Sequence, residues 1–426
     1  MSDLASLPLE DRYLSGAEAL KANPKVAAAL AQCVDEAEFA KGEQIRLSEI
    51  PSPTFKEAQR AAEVARLMIA YGLKDVVIDP IGNVVGRRPG RLNGKGPTLA
   101  LGAHMDTVFP EGTDVTVKEK NGVYYGPGLG DNASNLRSMM QMLRSLNNHG
   151  IETQGDLLFV GTVGEEGNGD IRGSKALFDG SRHIDGFLAL DSSDTGRVLR
   201  GATGSHRWRV TITGAGGHSY ADFGKVPSAI HAMGRAIAKI AELTVPTSPK
   251  TTFSVGLIKG GTSVNTIAPS AQVDVDMRSV DNNELLALEK AILATFQAGI
   301  DEEHQRWNVT DPALQLKVSF EQIGNRPAGM RPDSCPVLQS ARAAQKVLGI
   351  ELTKYTCSST DANMPMSLGI PSTCLSSGGI GKGAHTLEEN FVFKDIHEGP
   401  QLAMLTALLL VGTPDHEPLL PILSTI

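Results

Sequence analysis

Four short apolar runs constrain this chain more than any other feature: TLALGA (98–103), DLLFVGTV (156–163), GFLAL (186–190) and IPSTCLSSG (370–378). None alternates apolar with polar residues, and each is bounded by Gly, Asp or Pro. A strand that is apolar on both faces has to be covered on both faces, as in a parallel sheet sandwiched by helices. Helical patterns separate the runs, among them ASNLRSMMQMLRSLNNHG (133–150), where Gly150 is placed to end the helix. An opening helical region (about 25–48, then 55–71) comes first. The late LAMLTALLLVG (402–412) reads as a buried helix, too short to span a bilayer. The order predicts an α/β fold with a mostly parallel sheet flanked by helices.

The middle of the chain has a different texture. HRWRVTITGAGG alternates, a helix is expected at about 227–242, and TFSVGLIKG and AQVDVDMRSV follow. A longer helix (about 282–303) and LQLKVSF close the series. The resulting β-α-β-β-α-β order is that of a ferredoxin-like α+β sandwich. With 426 residues available, two domains are expected: a catalytic one over 1–203 and 326–426, and an insert over 204–325.

A net charge of −8 and a pI near 5.7 argue against nucleic acid or an anionic membrane as the main partner. Charges are scattered through MSDLASLPLEDRYLSGAEAL without an apolar run, so no signal peptide is expected. Cys33, Cys335, Cys357 and Cys374 form no CxxC pair, so reduced thiols and a cytoplasmic location are expected. GPGLGDN lacks G-x-G-x-x-G spacing, and GGIGKGAH has no Ser or Thr after Lys382, so neither reads as a nucleotide site.

The ends of the expected strands carry the chemistry. His104 and Asp106 follow the first run, Asp131 ends GPGLGD, Glu165 and Glu166 follow the second run, Asp191 follows the third, and His385 comes late. In open α/β sheets the carboxyl ends of the strands converge on one crevice. Imidazole and carboxylate suit a borderline divalent ion, so His104, Asp131, Glu166, Asp191 and His385 form a candidate ligand set. One bridging carboxylate, with one His and one acid per ion, would hold two metals around a nucleophilic water. Asp106 lies two residues beyond His104 on an extended chain and can accept the second ring N–H. Of the adjacent Glu165 and Glu166, one can bind metal while the other faces the water as a base.

From about residue 40 onward the chain resembles the M20 metallopeptidases, a family that includes carboxypeptidases, tripeptidases, desuccinylases and aminoacylases. The likeness rests on GAHMDTV, GPGLGDN, GTVGEEG, LALDSS, GAGGHS, GGTSVNTIAPSAQVDVDMRS and STDANMPMSLGIP…GAHT. The resemblance implies that Asp131 bridges two zinc ions, with His104 and Asp191 on one ion and Glu166 and His385 on the other. It implies Glu165 as general base, Asp106 as the orienting acid, and a cis peptide at Asp131–Asn132. It also implies that the insert is a lid that pairs two copies into a homodimer. His218 would then reach the neighbouring copy's site as an oxyanion donor, and Asn265 and Arg278 would hold substrate. Two stretches depart from the family pattern: DNASN follows the bridging acid, and SYADFGKVP follows His218.

The expected function is therefore hydrolysis of amide bonds in small substrates, as an exopeptidase or a di- or tripeptidase. The expected route is a metal-bound hydroxide with Glu165 as base, and the two divalent ions are zinc, with cobalt or manganese as alternatives. An N-acyl-amino-acid deacylase uses the same groups and stays open, as does a non-catalytic small-molecule or peptide binder. No nucleic-acid or membrane partner is expected.

Overall fold

The computed structural model describes Leu4 and residues 7–424. The chain divides into two compact units, one made of the residues up to Ala202 with those from Met330 on, the other of Thr203–Gly329.

The first unit is built around a six-stranded sheet: Lys74–Ile78 (β1), Val84–Arg88 (β2), Thr98–His104 (β3), Asp156–Thr162 (β4), Gly186–Leu190 (β5) and Ser372–Leu375 (β6). Their order across the sheet is β1-β2-β4-β3-β5-β6. The four strands from β4 to β6 in that order run parallel, while β1 and β2 add an antiparallel margin. The sheet is therefore mixed. Apart from Thr98, every residue of β3, β4 and β5 is buried, which is why these strands read as unbroken apolar runs. Side chains of β3, β4 and β5 still alternate between two cores. Leu99, Leu101, Phe159 and Leu188 pack with Leu136, Met139 and Leu143 of the helix Ala133–Asn148 and with Leu405 and Leu409 of Glu398–Val411. Ala100, Leu158, Val160, Phe187 and Ala189 face Leu177, Phe178 and Met366 on the other side.

Helix Ala133–Asn148 is buried from Ala133 to Leu146 despite its polar residues, most of whose groups find partners inside. Arg137 donates to the carbonyls of Ile396 (2.8 Å) and Ser377 (3.1 Å), and Gln141 donates to Cys33 (3.0 Å). Gly150 follows in the left-handed region at φ +56°. The opening helical region differs in detail from the pattern: it breaks at Glu36 into Pro24–Asp35 and Ala37–Ser48, and a further helix, Asp11–Ala22, precedes it. Asn23 accepts the N–H groups of Lys25 and Val26 and leads into Pro24 at the first helical position, a start signal that separates the two helices.

In the second unit, Gly204–Thr213, Thr251–Gly260, Ser270–Ser279 and Lys317–Arg326 form an antiparallel sheet. The hairpin pair lies on one side and the first and last strands on the other, the ferredoxin-like arrangement. Ser270–Ser279 alternates between half-buried and buried at every residue. Its inward Val273, Val275 and Met277 meet Met233 and Ala236 of the helix Ala229–Ala241 and Ile292 and Phe296 of Asn282–Trp307. Among the described residues, no helix is long and apolar enough to cross a membrane.

Candidate active site

Three adjacent parallel strands, β4, β3 and β5, end at one edge of the sheet, and His104 pairs in register with Thr162 there. His104 is the last residue of β3, Glu165 and Glu166 follow β4 within four residues, and Asp191 follows β5 directly. Two loops complete the group. Asp131 stands just ahead of the helix Ala133–Asn148, and its peptide bond to Asn132 is cis. His385 lies between the short strands Ile380–Lys382 and Asn390–Val392 with φ at +67°, a conformation a non-glycine residue rarely adopts.

Asp131 is held between two imidazoles. Its Oδ1 lies 3.0 Å from His104 Nε2 and its Oδ2 lies 3.1 Å from His385 Nε2. His385 Nε2 also lies 2.9 Å from Glu166 Oε1. His104, Asp131 and Glu166 each offer one ligand atom within 4.8 Å of the others. The far nitrogen of His104, Nδ1, is 3.1 Å from the Asp106 carbonyl oxygen and 3.6 Å from its carboxylate. Nδ1–H therefore donates to Asp106, chiefly to the main chain, and Nε2 is the nitrogen that faces Asp131 and the cluster.

The Asp106 carboxylate has a second task that spacing does not reveal. It accepts the N–H groups of Glu165 (2.9 Å) and Glu166 (3.0 Å) and the hydroxyl of Thr54 (2.9 Å). One buried acid thus aligns both glutamates and the histidine. Glu165 and Glu166 are themselves buried, at 5% and 6% exposure, so neither belongs to a solvated face.

Charge in this cluster calls for a cation. Burial alone would pull the His104 imidazole down, but Asp106, Asp131 and Asp191 outweigh it and raise it well above the usual range. Hydrogen bonds to Asp131 and Glu166 push His385 up to about 10. Desolvation, then the nearby Asp131 charge, lifts Asp191 to about 6. Burial also opposes ionisation of Asp131, yet the two imidazoles hold it below the carboxylate range. Without a cation, protons on the imidazoles take up the negative charge. A divalent ion can displace those protons, and the imidazole and carboxylate donors present suit one.

His218, Asn265 and Arg278 lie in the other unit. His218 pairs with Thr266 in a two-stranded ribbon of Gly217–His218 and Thr266–Ile267, and the Asn265 carbonyl accepts Ser219 N–H at 3.0 Å. The fold thus brings His218 and Asn265 together. His218 Nδ1 accepts the N–H groups of Tyr220 (3.2 Å) and Ala221 (3.3 Å), so the neutral ring carries its proton on Nε2. Arg278 stands apart from the ribbon, on the four-stranded sheet, where its Nε donates to Asp276 at 2.8 Å.

Two contributors escape a reading of the sequence. Arg60 is fully buried and donates to the carbonyls of Met105 (2.9 Å), which lies between His104 and Asp106, and of Ser48 (3.2 Å) and Ile50 (2.7 Å). Desolvation lowers it to about 10, against the pull of Asp106 and Glu389, so it stays charged at neutral pH. Its position in an ordinary helix, Ala58–Ala70, gives no hint of this. Glu389 accepts main-chain N–H groups around Asp131. Its only sequence signal is an acid four residues past His385 and two before a buried aromatic, Phe391.

The family model for "Peptidase family M20/M25/M40" matches residues 100–408. The chain belongs to this family. A tripeptidase from Staphylococcus aureus superposes with a TM-score of 0.72 at 25% identity, over 87% of this chain and 97% of that one. The Bacillus subtilis YXEP protein, described as a dinuclear metal binding peptidase, shares the fold with a TM-score of 0.65 at 16% identity, over 88% and 98% of the two chains. In sequence, the succinyl-diaminopimelate desuccinylase of Nitrosococcus oceani is 27% identical over 244 residues, 53% of this chain and 63% of the relative. The chain therefore spans just under two thirds of that relative's length.

Proposed function

We propose that this chain is a metal-dependent hydrolase of amide bonds in small substrates, an exopeptidase acting as a di- or tripeptidase. The observation that carries the reading is Asp131, whose two carboxylate oxygens face imidazoles on opposite sides. Asp131 would bridge two divalent ions, with His104 and Asp191 on one and Glu166 and His385 on the other. Zinc suits these donors, and cobalt or manganese is accepted by the same set. When bound, such ions polarise a carbonyl and lower the pKa of water.

The chain's own groups supply the rest. Glu165 takes a proton from the attacking water and returns it to the amine as the C–N bond breaks, leaving carboxylate and amine as products. Asp106 keeps Glu165 and Glu166 in register through their main-chain N–H groups. His218, with its proton on Nε2, donates to the carbonyl oxygen as charge develops there. We assign it to the site of a second copy in a homodimer formed through the insert. The outer strand of the insert's sheet, Thr251–Gly260, supports such pairing with its exposed Leu257 and Ile258. Asn265 and Arg278 hold substrate, Arg278 through a terminal carboxylate.

The likeness to a tripeptidase supports peptide substrates. The desuccinylase relative favours a second reading, an N-acyl-amino-acid deacylase with the same residues in the same roles. Assaying the zinc-loaded protein against dipeptides, tripeptides, N-acyl and N-carbamoyl amino acids separates the two. Peptide cleavage is expected, and cleavage confined to acyl amino acids would establish the second reading instead.

A further inference from the structure

We propose that Glu389 is a positioning residue for the metal-binding carboxylate Asp131, gripping the Asp131 loop from the segment that carries His385. The proposal rests on reading the strand-end cluster as a metal centre. Glu389 is 1% exposed. Its Oε1 accepts the N–H groups of Gly130 (2.8 Å) and Asp131 (2.9 Å), and its Oε2 accepts Gly128 N–H (2.9 Å). Its own carbonyl accepts Gly126 N–H at 3.0 Å. Four bonds from one residue thus secure 126–131.

The glycines of GPGLGDN make that grip possible. Gly128 takes φ +77°, and a Cβ on Gly130 would stand 3.3 Å from Glu389 Oε1, crowding the carboxylate. Successive N–H groups in such a turn form a concave anion seat, here filled by a side chain of the protein. The remaining parts of the loop are tied as well. Leu129 packs with Phe391, Ala40 and Ile396, and its carbonyl accepts Gln44 Nε2 at 2.9 Å. With the main chain held, the Asp131 carboxylate is presented between His104 and His385. Because Glu389 follows His385 by four residues, one short segment carries both a ligand and the clamp on another ligand.

The test uses the full-length protein stripped of metal and titrated with cobalt, followed by visible absorption. In Glu389→Gln the amide oxygen can serve two of the three donors, and its NH2 must then face the third N–H. Cobalt affinity is expected to fall about 10–100-fold, the range for outer-shell partners of metal ligands. Turnover should fall by a similar factor with little change in KM. Glu389→Asp, one methylene shorter, should fall between, and Glu388→Gln at the exposed neighbour should match wild type in both. Hydrogen exchange of the wild-type chain, followed in the peptide covering 126–131, should be slow, which tests the clamp even if a variant fails to fold. Wild-type cobalt affinity and turnover in Glu389→Gln, with only a lower Tm, would overturn the proposal, as would open-loop exchange rates in wild type. Either result leaves the metal centre standing. A wild-type chain that binds no cobalt overturns both.

Discussion

Asp106→Asn is the substitution whose cost can be worked out most fully. The carboxylate accepts Glu165 N–H at Oδ1 and both Glu166 N–H and the Thr54 hydroxyl at Oδ2. An asparagine can keep its oxygen on the Oδ2 side and retain two of these bonds, but its NH2 then points at the Glu165 N–H. That removes one hydrogen bond to a charged acceptor, each worth about 1.5–3 kcal/mol, and leaves a buried donor unmade. Asp106 is 0% exposed, so water cannot compensate. The expected loss is about 2–3 kcal/mol in urea unfolding of the metal-free protein. A second effect falls on metal: the segment that carries Glu166 loses one of its two ties to residue 106, His104 Nδ1 loses the carboxylate charge 3.6 Å away, and affinity should drop about 10–100-fold. Unfolding curves and cobalt titrations on the same preparation read both numbers. A variant within about 0.5 kcal/mol of wild type and with unchanged cobalt affinity would refute the account of Asp106, since surface substitutions alone fall in that range.

Three further outcomes are expected. Glu165→Gln should keep its metals and lose about 10²–10⁴ in kcat, the usual range for a general base; near-normal turnover would place the base elsewhere. In the metal-free protein, His385 titrates at about 10 against an ordinary 6.5. A raised pKa means its stabilisation is complete below pH 6.5 and fades as pH rises through about 10, so Tm in EDTA should decline over that window while the zinc-loaded Tm does not; parallel profiles would contradict the ligand assignment. Mixed dimers of Glu165→Gln and His218→Ala chains, each inactive alone, should recover a fraction of wild-type activity, because one site then has an intact Glu165 and receives an intact His218; verified heterodimers without activity would confine His218 to its own chain's site or remove it from catalysis.

What the sequence reveals depends on whether a signal is local. β3, β4 and β5 are legible because burial on both faces leaves unbroken apolar runs, and the acids that follow them stand out against that background. The insert is legible because AQVDVDMRS alternates residue by residue. β1 is not, since KDVVI is largely exposed at the sheet margin and its pairing with β2 is interrupted by a register shift. The break at Glu36 is hidden because both flanking segments read as helix and only Asn23-Pro24 marks a start. In the site, His104 and Glu166 meet through topology that strand-end positions foreshadow, whereas Asp131 and His385 reach them from loops. Arg60 and Glu389 act through main-chain carbonyl and N–H groups, which any residue supplies, so no pairing of residue types announces them.

The most direct test of the central claim is the metal content of active protein, measured by elemental analysis alongside turnover. About two divalent ions per chain are expected, with loss of turnover when a chelator removes them and recovery on adding zinc. Full turnover from protein holding essentially no metal would contradict it.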